Sequence, residues 1–216
     1  MTQDGSATTS TDARVRMVER QLRRRGIDDE RVLAAMSEVP RELFVPPDLR
    51  RRAYRDGALQ IGEGQTISQP WIVACMAQLL ELEGDETVLE VGTGSGYGAA
   101  VLSRLCAEVI TVERFESLAR RAAGILAELG YHNIEVRVGD GSMGAPDRAP
   151  FGGISVTATA DQEPPPELVK QLAPGAALVC PLSRGRREQL VRLKDGQEEA
   201  VASVRFVPLV SDARDS

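Results

Sequence analysis

The segment Val88-Leu89-Glu90-Val91-Gly92-Thr93-Gly94-Ser95-Gly96-Tyr97 runs from an apolar stretch through closely spaced glycines into a helical pattern. Glycines let a backbone approach a ligand closely, and a helix N-terminus offers unpaired N–H groups. Such a turn can hold a nucleotide or nucleoside, although strand–helix joints without any ligand use it too. Two further acids narrow the choice. Glu113 follows Gly92 by 21 residues, the spacing at which an acid after the next strand meets ribose hydroxyls. Asp140, between Gly139 and Gly141, closes the third strand and is placed to meet a base amino group. Glu90, two residues before Gly92, suits a cationic sulfonium with an ammonium group and would repel a pyrophosphate. S-adenosyl-L-methionine is therefore the expected ligand, held by Glu90, Gly92, Gly94, Glu113, Asp140 and Gly141. Gly94-x-Gly96-x-x-Ala99 can also be written as a dinucleotide loop, so a nicotinamide dehydrogenase is carried as the rival. It lacks a plausible proton-relay histidine, since His132 is the one histidine and reads as a loop residue.

The elements that must position these residues follow from the apolar spacing. Residues 87–91, 109–112, 134–138, 154–156 and 177–182 read as strands. Residues 98–105, 118–129 and 166–172 read as the helices between them, the last stopped by Pro174-Gly175. Strand–helix alternation predicts an α/β fold with a doubly wound, mostly parallel sheet. Residues 189–193 and 201–207 flank Lys194-Asp195-Gly196 and predict a closing antiparallel hairpin. Upstream lies an N-terminal helical segment. It has helices at 14–25, from a cap at Asp28 up to Pro40, and at 69–83 with Pro70 in its first turn. The expected organisation is a disordered leader over 1–12, one domain over 13–210 and a flexible tail over 211–216. Within the domain, 13–83 is the helical cap and 84–210 the cofactor-binding sheet with its hairpin.

Composition bounds the rest. The chain has 216 residues, 42% hydrophobic and 27% charged, enough for one moderate core. Cys75, Cys106 and Cys180 are odd in number and follow no metal-ligand spacing, so neither a disulfide framework nor a metal site is expected. The net charge of −6 argues against nucleic acid, whose phosphates need basic surface. Arg23-Arg24-Arg25 and Arg50-Arg51-Arg52 concentrate positive charge early in the chain, either as a solvated helix face or as a rim for an acidic substrate. Without a signal-peptide pattern or an 18-residue apolar run, a cytoplasmic location and no membrane partner are expected.

Gly64-Gln65-Thr66-Ile67-Ser68-Gln69-Pro70, followed by the glycine loop, resembles the protein-L-isoaspartate (D-aspartate) O-methyltransferase family. The resemblance runs from about Met17 to Leu209. It includes Val39-Pro40-Arg41-Glu42, Val138-Gly139-Asp140-Gly141, Ala149-Pro150-Phe151 and Val204-Arg205-Phe206-Val207-Pro208-Leu209. It implies methyl transfer from S-adenosyl-L-methionine to the α-carboxylate of L-isoaspartyl residues in damaged proteins, which begins their repair through a succinimide. By the same resemblance Ser68 falls on the active-site serine, with Thr66, Ile67 and Val207 against the substrate and no metal. A monomer acting on isoaspartyl proteins or peptides is expected. From the residues alone, Ser68 also reads as a plain helix cap.

A carboxylate with a pKa near 4 is already ionised at neutral pH, so placement and exclusion of water are what such an enzyme must supply. Three departures from the family pattern bear on the substrate wall. Gly152-Gly153 stands where an acid is usual, predicting a looser start to the fourth strand. Residues 157–162 replace a more apolar Ala-Pro turn, and Leu182-Ser183 follows Pro181. Two other functions stay open: a biosynthetic methyltransferase acting on an aspartate of a dedicated peptide, and a catalytically weakened homologue that only binds the cofactor.

Overall fold

The computed structural model describes residues 4–211. Helix α1 (Asp4–Met17) begins inside the stretch whose composition predicts a disordered leader. Val18 and Leu22 are buried just beyond it, in a π-helical turn that continues the same helix. A helix anchored there can propagate outwards one bond per residue without an apolar face of its own. Residues 1–3, and 212–216 of the expected tail, lie outside the described residues.

Gly26 in the left-handed region stops this segment. Asp29, not Asp28, caps α2 (Glu30–Glu38): its carboxylate accepts from the Arg31 and Val32 backbone N–H groups. Two 3-10 turns, Arg41–Phe44 and Pro47–Arg52, then lead to a hairpin of β1 (Leu59–Gly62) and β2 (Gln65–Ile67) that the apolar pattern does not predict. Helix α3 spans Pro70–Leu79, ending before the expected 83, with Gln69 at its N-cap position.

From here strands and helices alternate as expected: β3 (Thr87–Val91), α4 (Tyr97–Leu102), β4 (Glu108–Glu113), α5 (Glu116–Glu128), β5 (Ile134–Val138) and β6 (Phe151–Val156). The short β7 (Ala160–Asp161) and α6 (Pro166–Val169) precede a long β8 (Leu172–Arg184), then β9 (Arg187–Lys194) and β10 (Gln197–Ser203). The main sheet has the order β10-β9-β8-β6-β3-β4-β5, with β7 beside β8. Strands β8, β6, β3, β4 and β5 are mutually parallel, and β9 and β10 add antiparallel. The hairpin turns at Asp195-Gly196 as expected, but its second strand leaves the sheet at Ser203 rather than continuing through Val207.

Strand β3 turns Val88 to one face and Leu89 and Val91 to the other, as a two-residue period requires. The Val88 side carries the larger core, where the N-terminal segment and residues of α3, α4 and α5 pack. The other core gathers Ile110, Phe151, Ile154, Leu168 and Leu178. The register of β6 against β8 shifts between Phe151 and Gly153, an irregularity at the expected place, while the glycines themselves are closely packed. A Cβ on Gly152 would lie 2.6 Å from Glu86 Cβ, and Gly153 pairs in register with Val88 beneath Leu82. The chain leaves β3 towards β4 and β5, then returns to its other side with β6. In open sheets ligands bind at that switch point, beyond the carboxyl ends of the strands.

Candidate active site

A cavity of about 340 Å³ opens at that point. One wall is the turn after β3, held by several bonds. Gly92 N–H donates to Val112 O at 2.8 Å, and Gly94 N–H donates to Glu113 Oε2 at 2.8 Å. Glu113 Oε1 accepts from Phe115 N–H at 3.0 Å, so this acid braces the loop from the end of β4. Thr157, at the end of β6, completes the clamp: its hydroxyl lies 2.9 Å from Val91 O and 2.8 Å from Gly92 O. Gly92 has φ of +93°, and a Cβ there would fall 2.3 Å from Thr157 Oγ1. No other residue fits both the backbone and the contact.

Glu90 sits under this loop, 1% exposed, on the face of β3 that meets α4. Thr111 Oγ1 donates to Glu90 Oε2 at 2.7 Å and in turn lies 2.7 Å from Thr93 Oγ1. Gly98 leaves room for the other oxygen, since a Cβ would come within 2.2 Å of Glu90 Oε1. Burial, with Glu113 nearby, pushes the Glu90 carboxyl up to about 8 against the Thr111 hydrogen bond. At neutral pH it is thus largely protonated, and a bound cation would favour its charged form. That qualifies the expectation of a standing anion, while a buried acid lining a cavity still fits a ligand that brings positive charge.

The opposite wall comes from Thr66 and Ile67 at the end of β2 and from Ser68 just after it, before α3. Ser68 does not cap α3, because Gln69 takes that position and makes no side-chain cap bond. Its carbonyl instead accepts from Arg41 Nη2 at 2.7 Å. The third wall is the chain beyond β10. Thr159 N–H donates to Val207 O and Leu209 N–H to Thr159 O, both at 2.8 Å, while Glu188 Oε2 accepts from Phe206 N–H at 3.0 Å. Val207 lines the cavity on a segment tied by these bonds to Thr159 and to Glu188 of β9.

Of the residues singled out in the sequence, Ser68, Thr66, Ile67, Glu90, Gly92, Gly94, Glu113, Gly141 and Val207 all line this cavity. Asp140 does not line it. Its Oδ1 accepts from Ser142 N–H at 2.9 Å and Ser142 Oγ at 2.7 Å, which fixes the turn presenting Gly141. His132 is exposed in the turn after α5, away from the cavity, and the three cysteines are buried and free. Sequence reasoning missed Thr157, read as a departure from pattern, and Arg41, seen only as part of the Val39-Pro40-Arg41-Glu42 motif. Both act through hydrogen bonds to carbonyls that no spacing reveals.

Residues 13–214 match the profile of the protein-L-isoaspartate(D-aspartate) O-methyltransferase family. The protein-L-isoaspartate O-methyltransferase of Methanoculleus marisnigri is 51% identical over 201 residues, covering 91% of each chain. A Syntrophobacter fumaroxidans relative of the same name is 52% identical over 202 residues, covering 92% of this chain and 94% of its own. Among solved structures, a Plasmodium falciparum chain described as a protein-L-isoaspartate O-methyltransferase, in complex with S-adenosyl-L-homocysteine, superposes with a TM-score of 0.79. It is 25% identical and covers 90% of this chain and 96% of its own.

Proposed function

The chain belongs to the protein-L-isoaspartate(D-aspartate) O-methyltransferase family, and from that membership we propose that its cavity methylates the α-carboxylate of L-isoaspartyl residues in damaged proteins. When bound, S-adenosyl-L-methionine supplies an electrophilic methyl, which the carboxylate takes as an ester while the sulfur keeps the bonding electron pair. The later closure to a succinimide needs no further help from the enzyme. The observation that carries the reading is one cavity joining two sets of residues: the cofactor loop on one wall, and Thr66, Ile67 and Ser68 on the other.

Each residue has a task in this reading. Gly92, Gly94 and Gly141 let the nucleoside lie against backbone. Glu113 accepts from ribose hydroxyls with the lone pairs its loop bonds leave. Glu90 balances the ligand's positive charge from below, and Asp140 sets the turn that carries Gly141. Thr66, Ile67 and Val207 enclose the isoaspartyl residue, and the Ser68 hydroxyl donates to the carboxylate. No proton must move in the transfer, so this task demands orientation and exclusion of water, and no base. The substrate partners are isoaspartyl proteins. Action as a cytoplasmic monomer is proposed with it, and the acidic balance of −6 supports the absence of a nucleic-acid partner. No helix among the described residues is long and apolar enough to cross a membrane.

Paired peptides test the reading. Initial methylation rates on an isoaspartyl peptide should exceed those on its aspartyl counterpart by on the order of a hundredfold or more, because a 1 Å misplacement of the attacking oxygen costs about that much. Equal rates would remove the repair function and leave the biosynthetic alternative. Ser68→Ala should lower kcat/KM by roughly ten- to a hundredfold, the worth of one hydrogen bond to a charged group. Its affinity for S-adenosyl-L-homocysteine should stay as it is, and undiminished turnover would end the assignment of Ser68.

Glu113→Ala should weaken S-adenosyl-L-homocysteine binding by about 1–3 kcal/mol, from lost bonds to the charged group. Calorimetry giving the wild-type affinity in that variant would take Glu113 out of the site.

A further inference from the structure

Arg41 is fully buried, yet among the described residues it forms no ion pair. Its Nε donates to Ala53 O at 2.8 Å and its Nη2 to Ser68 O at 2.7 Å, while Nη1 has no partner of good geometry among the described residues and the Tyr97 hydroxyl, a neutral group, interacts with the guanidinium. The guanidinium lies 4.8 Å from the centroid of the Tyr97 ring, which Phe44 meets edge-on at 5.7 Å. Arg41 thus touches both walls of the cavity: Ser68 on the substrate side, and Tyr97, which opens α4 after the glycine loop. Burying a cation without an anion is strongly unfavourable. Stacking on an aromatic ring and two carbonyls offset part of that cost. Because the Ser68–Gln69 peptide unit is trans, its N–H points opposite to the carbonyl that Arg41 holds. The cation therefore polarises that unit so that its donor end is strengthened on the far side.

Resting on the repair-methyltransferase reading, we propose that Arg41 is a positioning residue of the substrate site. It fixes the Ser68 backbone, and its uncompensated buried charge supplies the positive potential that receives the isoaspartyl α-carboxylate. The missing counter-ion is then the substrate itself. The carboxylate loses its charge on becoming an ester, so the same potential stops holding the product and favours its release. Arg114 also lines the cavity, beside Glu113, whereas the arginines early in the chain are engaged or solvated. Arg23 pairs with Glu30, Arg25 pairs with Asp56, and Arg50, Arg51 and Arg52 are exposed.

The test compares an isoaspartyl peptide with the same peptide carrying an α-carboxamide in place of the α-carboxylate, each as a competitor of a methylated reporter peptide. The wild-type protein should bind the carboxylate form at least tenfold more tightly. In Arg41→Gln, which keeps hydrogen-bond donors but no charge, that ratio should fall by about tenfold. Affinity for S-adenosyl-L-homocysteine should change less than twofold. Arg41→Lys should keep most of the ratio, because the charge remains. A purely structural arginine would weaken both peptides alike and leave the ratio unchanged, which overturns the proposal. So does a wild-type ratio near one, or a lysine variant that loses the ratio entirely. Those two measurements decide the matter even where the glutamine variant does not fold. Absence of methyl transfer from wild-type protein to the isoaspartyl peptide would instead overturn the functional reading, so the two failures are distinguishable.

Discussion

Gly92→Ala should weaken cofactor binding by on the order of a hundredfold. The added Cβ meets Thr157 Oγ1 at 2.3 Å, the atom that bonds Val91 O and Gly92 O. Either Thr157 rotates away and the loop loses its clamp, or the turn moves outward into the cavity. The backbone also resists, because φ of +93° lies where an L side chain is strained, at about 1–2 kcal/mol. Forcing a methyl into a packed site costs about 1–3 kcal/mol more. A loop displaced by about 1 Å cannot hold the nucleoside and the reacting methyl in line, so affinity and turnover should each fall on the order of a hundredfold. Titration calorimetry with S-adenosyl-L-homocysteine and thermal unfolding measure the two consequences separately. Adding Thr157→Ala should restore the part due to the contact but not the part due to φ. Wild-type affinity in the single variant would show that the turn is not part of the cofactor site.

The contrast between Gly92 and Thr157 explains what the sequence made legible. A glycine loop, an acid 21 residues later and alternating apolar runs are features of the backbone's own period, so the cavity's cofactor wall and the parallel sheet could be read directly. Thr157 could not, because its hydroxyl acts on carbonyls of a strand 65 or 66 residues away. The β1–β2 hairpin escaped for a different reason: its strands have four and three residues, too few for an alternation to stand out. Residues 201–207 illustrate the converse, an alternating pattern longer than the strand it forms. Val204, Phe206 and Leu209 still pack against the cores after the strand has left the sheet, so burial and strand pairing part company there. Arg41 falls in the Val39-Pro40-Arg41-Glu42 motif, yet its burial and its bonds to Ala53 O and Ser68 O could not be read there, because only tertiary packing distinguishes a buried guanidinium from a solvated one.

Glu90 should make the protein less stable as pH rises from about 5 to 9, the reverse of what paired surface carboxylates do. Its carboxyl titrates at about 8 in the folded chain, raised from 4.5 by burial. Below 4.5 the group is neutral in both states and its full contribution to stability is present. Between 4.5 and about 8 the unfolded chain releases this proton while the folded chain retains it, so unfolding is increasingly favoured with pH. Above 8 both states are ionised and the decline levels off. The accumulated loss is on the order of a few kcal/mol. Glu81 and Glu198, whose salt bridges hold them below the usual range, act in the opposite sense and at lower pH. Glu90→Gln isolates the effect: it cannot ionise, and its amide oxygen can still accept from Thr111 Oγ1. Melting temperatures of the two proteins should therefore diverge with rising pH, the wild type falling further and the variant following only the remaining groups. Parallel curves from pH 5 to 9 would mean that Glu90 carries its charge in the folded state, and that a cation already within the protein balances it.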